Sequence, residues 1–123
     1  MAQVKIPENV EVREDVVYGR GGERELKLDL YLPKDDAEQR PAVVFIHGGG
    51  WKGGNRGQFR PQSLHLASNG YVCACIEYRL SGEAQFPAAI EDAKCAVRFM
   101  RAKAEELRVD PDRIAAAGGS AGG

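Results

Sequence analysis

Apolar and polar residues alternate along two stretches near the N-terminus. Residues 10–18 set Val10, Val12, Val16 and Tyr18 on one side and Glu11, Arg13 and Asp15 on the other. Residues 25–32 alternate more cleanly, with Leu26, Leu28, Leu30 and Leu32 against Glu25, Lys27, Asp29 and Tyr31. A period of two predicts strands with one buried face. Gly19-Arg20-Gly21-Gly22 lies between them, which predicts an antiparallel hairpin with a short loop. Pro33 ends the second strand, and residues 34–40 read as a polar surface loop.

After Pro41 the pattern changes. Ala42 to Ile46 is continuously apolar, as expected of a strand covered on both faces in a parallel sheet. Residues 47–57 hold six glycines and form a loop. A helix is predicted from Pro61 to Asn69-Gly70, with proline at its start and Gly70 in a left-handed cap. Tyr71 to Ile76 is a second apolar run, followed by Glu77-Tyr78 and a loop over residues 79–86. Pro87 opens a long helix whose stripe is Ile90, Ala93, Val97, Met100, Ala104 and Leu107. Asp110-Pro111-Asp112 reads as a turn, and Ile114 to Ala117 as a short buried strand. The order β-β-β-α-β-α-β predicts an α/β fold: an antiparallel hairpin followed by a mostly parallel sheet with flanking helices.

Length and composition narrow the class. The 123 residues have room for one domain, and 43% hydrophobic with 28% charged residues is ordinary globular composition. Net charge is −1 with the signs interspersed, so no basic field points to nucleic acid or to an anionic membrane. No apolar run approaches the roughly 20 residues of a membrane span. The N-terminal residues show no signal peptide, so a cytoplasmic protein is expected, or a secreted one if an upstream signal was removed. Cys73, Cys75 and Cys95 are odd in number and lack Cys-x-x-Cys spacing. That argues against a disulfide framework or a zinc site and for buried thiols.

The chemistry sits in two glycine-rich turns, each following an apolar run. Gly118-Gly119-Ser120-Ala121-Gly122 contains Gly-x-Ser-x-Gly, a tight strand-to-helix turn that would hold Ser120 clear of the sheet. A serine hydroxyl is a weak nucleophile and needs both that exposure and a base. His47-Gly48-Gly49-Gly50-Trp51 follows the run Val43-Val44-Phe45-Ile46. Glycines there would offer N–H groups to an oxyanion without a Cβ in the way. The candidate donors are Gly49, Gly50 and Ala121, with His47, Gly48 and Trp51 supporting the loop. The serine turn alone is a weak signal; both turns at the ends of apolar strands make a strong one.

With these residues in hand, the sequence resembles the α/β-hydrolase superfamily. The similarity is to its esterase/lipase group, which contains hormone-sensitive-lipase-like enzymes and bacterial carbohydrate esterases. Glu77-Tyr78-Arg79-Leu80, Phe86-Pro87-Ala88-Ala89 and Asp110-Pro111-Asp112-Arg113-Ile114 extend the likeness over most of the chain. The resemblance implies carboxylic-ester hydrolysis through an acyl-enzyme on Ser120, with no metal or organic cofactor. Small acyl esters are the implied substrates, acetyl or feruloyl groups on polysaccharides among them. The family's Asp or Glu and its His follow the serine in that order. Only Ala121, Gly122 and Gly123 follow it here. Residues 1–123 therefore read as an incomplete α/β-hydrolase domain, expected to be inactive alone. An arylformamidase or serine peptidase of the same fold, or a non-catalytic binding module, are the alternatives. Oligomeric state is not legible.

The remaining polar residues have plainer roles. His47 is expected to shape the loop rather than act as base, and His65 to be a surface or packing residue. Asp92 is expected to make a structural hydrogen bond or ion pair, Asp110 to serve a turn, and Arg79 to form a structural ion pair. Trp51 suits pocket lining and loop packing equally.

Overall fold

The computed structural model describes residues 6–21, 24–34, 39–47, 56–78 and 88–118. Strand β1 (Val10–Gly21) pairs antiparallel with β2 (Arg24–Pro33), in a register running from Val10↔Pro33 to Gly21↔Arg24. The hairpin is thus as expected, with strand structure continuing through Gly21. Strand β3 (Arg40–Ile46) leads through a 3-10 turn (Arg56–Phe59) and helix α1 (Arg60–Ser68) to β4 (Val72–Ile76). Helices α2 (Ala88–Ala102) and α3 (Ala104–Leu107) then lead to β5 (Val109–Gly118). The five strands form one mixed sheet in the order β1-β2-β4-β3-β5. β2 meets β4 antiparallel, while β3 runs parallel to both β4 and β5.

The two sheet faces have separate cores. On one, Leu26, Leu28, Val44 and Ile76 pack with Ala96 and Met100 of α2. On the other, Tyr31, Phe45, Cys73 and Cys75 pack with Leu64 and Ala67 of α1. Each fully buried aliphatic side chain contributes about 1.5–3 kcal/mol. The continuous apolar runs of β3 and β4 follow from this double cover.

The hairpin departs from the alternation in two places. Its first strand has a register break between Arg13 and Val16, where Asp15 adopts φ 58 and its N–H donates to Asp29 Oδ1 at 3.1 Å. An odd residue count flips a strand's faces. Val10 and Val12 therefore pack on the α1 side, and Val16 and Tyr18 on the α2 side, not all together. β2 is buried on both faces over Leu28–Leu32, because α1 covers Tyr31.

Helix α1 starts with proline in its first turn, as predicted. The Asn69, Gly70 and Tyr71 N–H groups close its end on the Leu66 and Ala67 carbonyls, and Gly70 takes φ +98. Arg40 Nη1 donates to the Gly70 carbonyl at 2.9 Å. The long helix differs from expectation. Its buried face runs Asp92, Ala96 and Met100, while Ile90 is 41% exposed. Ile90 lies about 80° around the helix from Met100 at 100° per residue, whereas steps of four stay aligned. A turn at Lys103 interrupts the predicted stripe, and Arg108 closes α3 in the left-handed region.

β5 is longer and more open than the predicted buried strand. It flanks only β3 among the described strands, and Ala115 and Ala116 are exposed. The expected turn survives inside it as a wide bulge. Arg40 faces Val109 and Ala42 faces Ile114, and the Asp112 N–H donates to Asp110 Oδ1 at 2.9 Å.

Candidate active site

The chain order makes a switch point at β3. From β3 it crosses by α1 to β4 on one side, then returns by α2 to β5 on the other. The two helices cover opposite sheet faces. Open α/β sheets bind ligands beyond the carboxyl ends of strands at such a point. Here the register pairs Ile46, the last residue of β3, with Gly118, the last of β5. The two glycine-rich stretches of the sequence thus follow adjacent parallel strands, about 4.8 Å apart, that end at the same end of the sheet.

Gly48, Gly49, Gly50 and Trp51 lie outside the described residues, as do Arg79, Leu80, Phe86, Pro87, Gly119, Ser120, Ala121, Gly122 and Gly123. Their anchors are described. His47 is buried, and its carbonyl accepts a hydrogen bond from the Tyr78 hydroxyl at 2.8 Å. Its ring stacks on that of Tyr78 with centroids 4.4 Å apart and planes at 20°. Burial pushes the Tyr78 phenol above its ordinary value, so it stays a neutral donor. On the far side of the glycine-rich stretch, Phe59 stacks on Phe45 of β3, centroids 5.2 Å apart. Both flanks of that stretch are therefore fastened to the sheet.

Tyr78 is itself held by the hairpin through its neighbour. The Glu77 N–H donates to the Lys27 carbonyl at 3.0 Å, and the Lys27 N–H donates to Glu77 Oε2 at 2.8 Å. The Tyr18 hydroxyl donates to the Glu77 carbonyl. Sequence reading had Tyr78 only as part of a family-like stretch. The available signal was an aromatic residue just past a buried strand that neighbours the one leading into His47.

The other candidates fall as expected or lie elsewhere. His65 is exposed on α1. Asp92 is buried on α2, and Asp110 serves the bulge turn. Cys73 and Cys75 face the α1 core, and Cys75 Sγ lies 3.0 Å from Ser63 Oγ. All three cysteines are free thiols. Burial, with Cys75 adding, pushes the Cys73 thiol up to about 12, which makes it inert. Among the described residues, no group of three His, Cys, Asp or Glu could hold a metal ion. No described helix is long and apolar enough to cross a membrane. Two clefts of about 520 Å³ lie around Arg40 and Arg108, at the opposite end of β3 from His47.

Known proteins share this fold. The BD-FAE family model matches residues 28–123. Carboxylesterase NlhH of Mycobacterium tuberculosis is 35% identical over 127 residues, covering all of this chain and 40% of its own length. The probable carboxylic ester hydrolase LipM of the same organism is 43% identical over 112 residues, covering 89% of this chain and 26% of its own. Among solved structures, the thermophilic esterase Est2 of Thermogutta terrifontis superposes with a TM-score of 0.83 at 41% identity, over 94% of this chain and 41% of that one. A bacterial heroin esterase superposes with a TM-score of 0.87 at 36% identity, over 98% and 38%. The chain thus spans 26–40% of the length of these two curated relatives.

Proposed function

Since the chain belongs to the BD-FAE family, whose model matches residues 28–123, we propose that the protein carrying it is a serine carboxylic-ester hydrolase working through an acyl-enzyme on Ser120. Ser120 Oγ attacks the ester carbonyl carbon and gives its proton to a histidine. The carbonyl oxygen takes up the negative charge and is held by the N–H groups of Gly49, Gly50 and Ala121. Collapse breaks the bond to the alcohol oxygen, which leaves with the proton. Water, deprotonated by the same histidine, then releases the acid and restores Ser120. The family's Asp or Glu and its His follow the serine; this chain spans 40% of the length of NlhH, and we place both residues in the remainder of the protein. His47, Gly48 and Trp51 support the loop. No metal or organic cofactor takes part, and the partner is a small ester.

The pairing of Ile46 with Gly118 carries this reading, because the strands that lead into the two glycine-rich stretches end side by side. The names of NlhH, a carboxylesterase, and Est2, an esterase, support the ester class. The test is hydrolysis of p-nitrophenyl acetate by the natural protein that contains these residues. Ser120→Ala should lower turnover on the order of 10⁶-fold, as loss of a catalytic serine does. N-formylkynurenine and peptide amides run beside it; faster turnover of either would replace the ester reading with a formamidase or a peptidase.

A further inference from the structure

The hydroxyl of Tyr78 donates to the carbonyl of His47, the residue that opens the glycine-rich turn. A peptide unit is planar, so fixing that carbonyl fixes the whole peptide plane leading out of His47. The need for such a fixture follows from the sequence. Three glycines follow His47, and glycine has the largest backbone freedom to lose. A donor array for an oxyanion works only if it is set before the reaction, since reorganising dipoles during attack cancels the gain.

Tyr78 is suited to that task. It is 1% exposed, its ring lies flat against that of His47, and its hydroxyl reaches the backbone rather than the side chain. Glu77, just before it, is clamped from the hairpin: its carbonyl by the Tyr18 hydroxyl, its N–H by the Lys27 carbonyl and its carboxylate by the Lys27 N–H. We propose that Tyr78 is a positioning residue for ester hydrolysis, holding the first peptide plane of the glycine-rich turn. The β1–β2 hairpin is its buttress, acting through Tyr18 and Glu77. This inference rests on the esterase reading above. It also gives the N-terminal hairpin a task in the site.

The test uses the natural protein with Tyr78→Phe, which keeps the ring against His47 and removes only the hydroxyl. Loosening a donor should cost less than the 100- to 1000-fold of losing one. The expected result is a roughly 10-fold fall in kcat on p-nitrophenyl acetate, with KM within about twofold. Affinity for an aryl trifluoromethyl ketone, whose serine adduct carries the oxyanion charge, falls in parallel with kcat. A merely structural role would lower the melting temperature and the active fraction but leave that affinity unchanged in the folded protein. Tyr18→Phe, one step further back, is expected to lower kcat about twofold to fivefold, and it decides the matter if Tyr78→Phe does not fold. Unchanged kcat and ketone affinity in the folded Tyr78→Phe protein overturn the inference while Ser120→Ala still abolishes turnover. If Tyr78→Phe does not fold, an unchanged Tyr18→Phe overturns it on the same terms. Absence of Ser120-dependent hydrolysis in the wild type overturns the inference and the esterase reading together.

Discussion

Gly19 is where the hairpin meets α2, and the close approach there can be measured. A Cβ at this position would stand 2.5 Å from Cys95 Sγ. That is about 0.9 Å short of ordinary contact, closer than real side chains come. The backbone itself would accept alanine, since Gly19 is not among the residues at positive φ. Gly19→Ala therefore acts through the clash alone. Cys95 Sγ cannot retreat freely, because it also points at the Tyr18 carbonyl at 3.7 Å. Overpacking of this kind costs about 1–3 kcal/mol. In a Cys95→Ala background the nearest remaining atom is Cys95 Cβ, 4.0 Å away, which is ordinary contact. There the same change should be neutral, or gain about 0.4–1 kcal/mol through a stiffer unfolded chain. Urea unfolding of the wild type, both single variants and the double variant gives the cycle. The expected coupling is at least about 1 kcal/mol in favour of the double variant, or roughly 3–6 °C in melting temperature for a chain of this size. Additivity within about 0.5 kcal/mol would refute the close packing of β1 on α2.

Three further outcomes are expected. Gly70→Ala should destabilise by about 1–2 kcal/mol, from a Cβ at φ +98 and from crowding of Arg40 Nη1 at 3.0 Å; unfolding midpoints within about 0.5 kcal/mol of wild type would contradict it. Alkali should destabilise the protein. Cys73 and Tyr31 ionise near their ordinary 9 and 10 when unfolded but are pushed up to about 12 when folded, mainly by burial. Stability is then whole below pH 9 and falls as pH rises toward 12, by up to about 1.4 kcal/mol per unit for each group; urea midpoints that stay flat to pH 11 would oppose this. The 123-residue polypeptide alone should hydrolyse p-nitrophenyl acetate no faster than its Ser120→Ala variant, because within these 123 residues no histidine follows the serine; rapid Ser120-dependent turnover by it would refute the need for a later histidine as base.

Much of the fold was legible because burial sets the period. Leu26 to Leu32 alternate, Val43 to Ile46 and Val72 to Ile76 run apolar throughout, and each became the strand expected. What was not legible came from local backbone events and from neighbours far along the chain. Asp15 at positive φ flips the faces of β1, and alternation alone cannot reveal an inserted residue. Ile90 looked like core by hydrophobicity, but the sheet is met by the face bearing Asp92 and Met100. For the site, the residue types of the two glycine-rich stretches and the apolar runs before them could be read. That the strands leading into them end side by side could not, since it rests on the chain crossing from β4 past β3 to place β5 on its far side. Tyr78 was hidden for the same reason: its partner His47 is 31 residues away and lies beside it only once β3 and β4 pair.

The most direct test is to trap the covalent intermediate on the natural protein containing these residues. Rapid quenching in acid during turnover of p-nitrophenyl acetate, followed by peptide mass mapping, shows where the acyl group sits. The account predicts one acetyl group per chain, on Ser120, forming as p-nitrophenol is released and absent from Ser120→Ala. Turnover with the acetyl group on another residue, or with no acyl-enzyme when deacylation is slowed by a bulkier acyl ester, would contradict it.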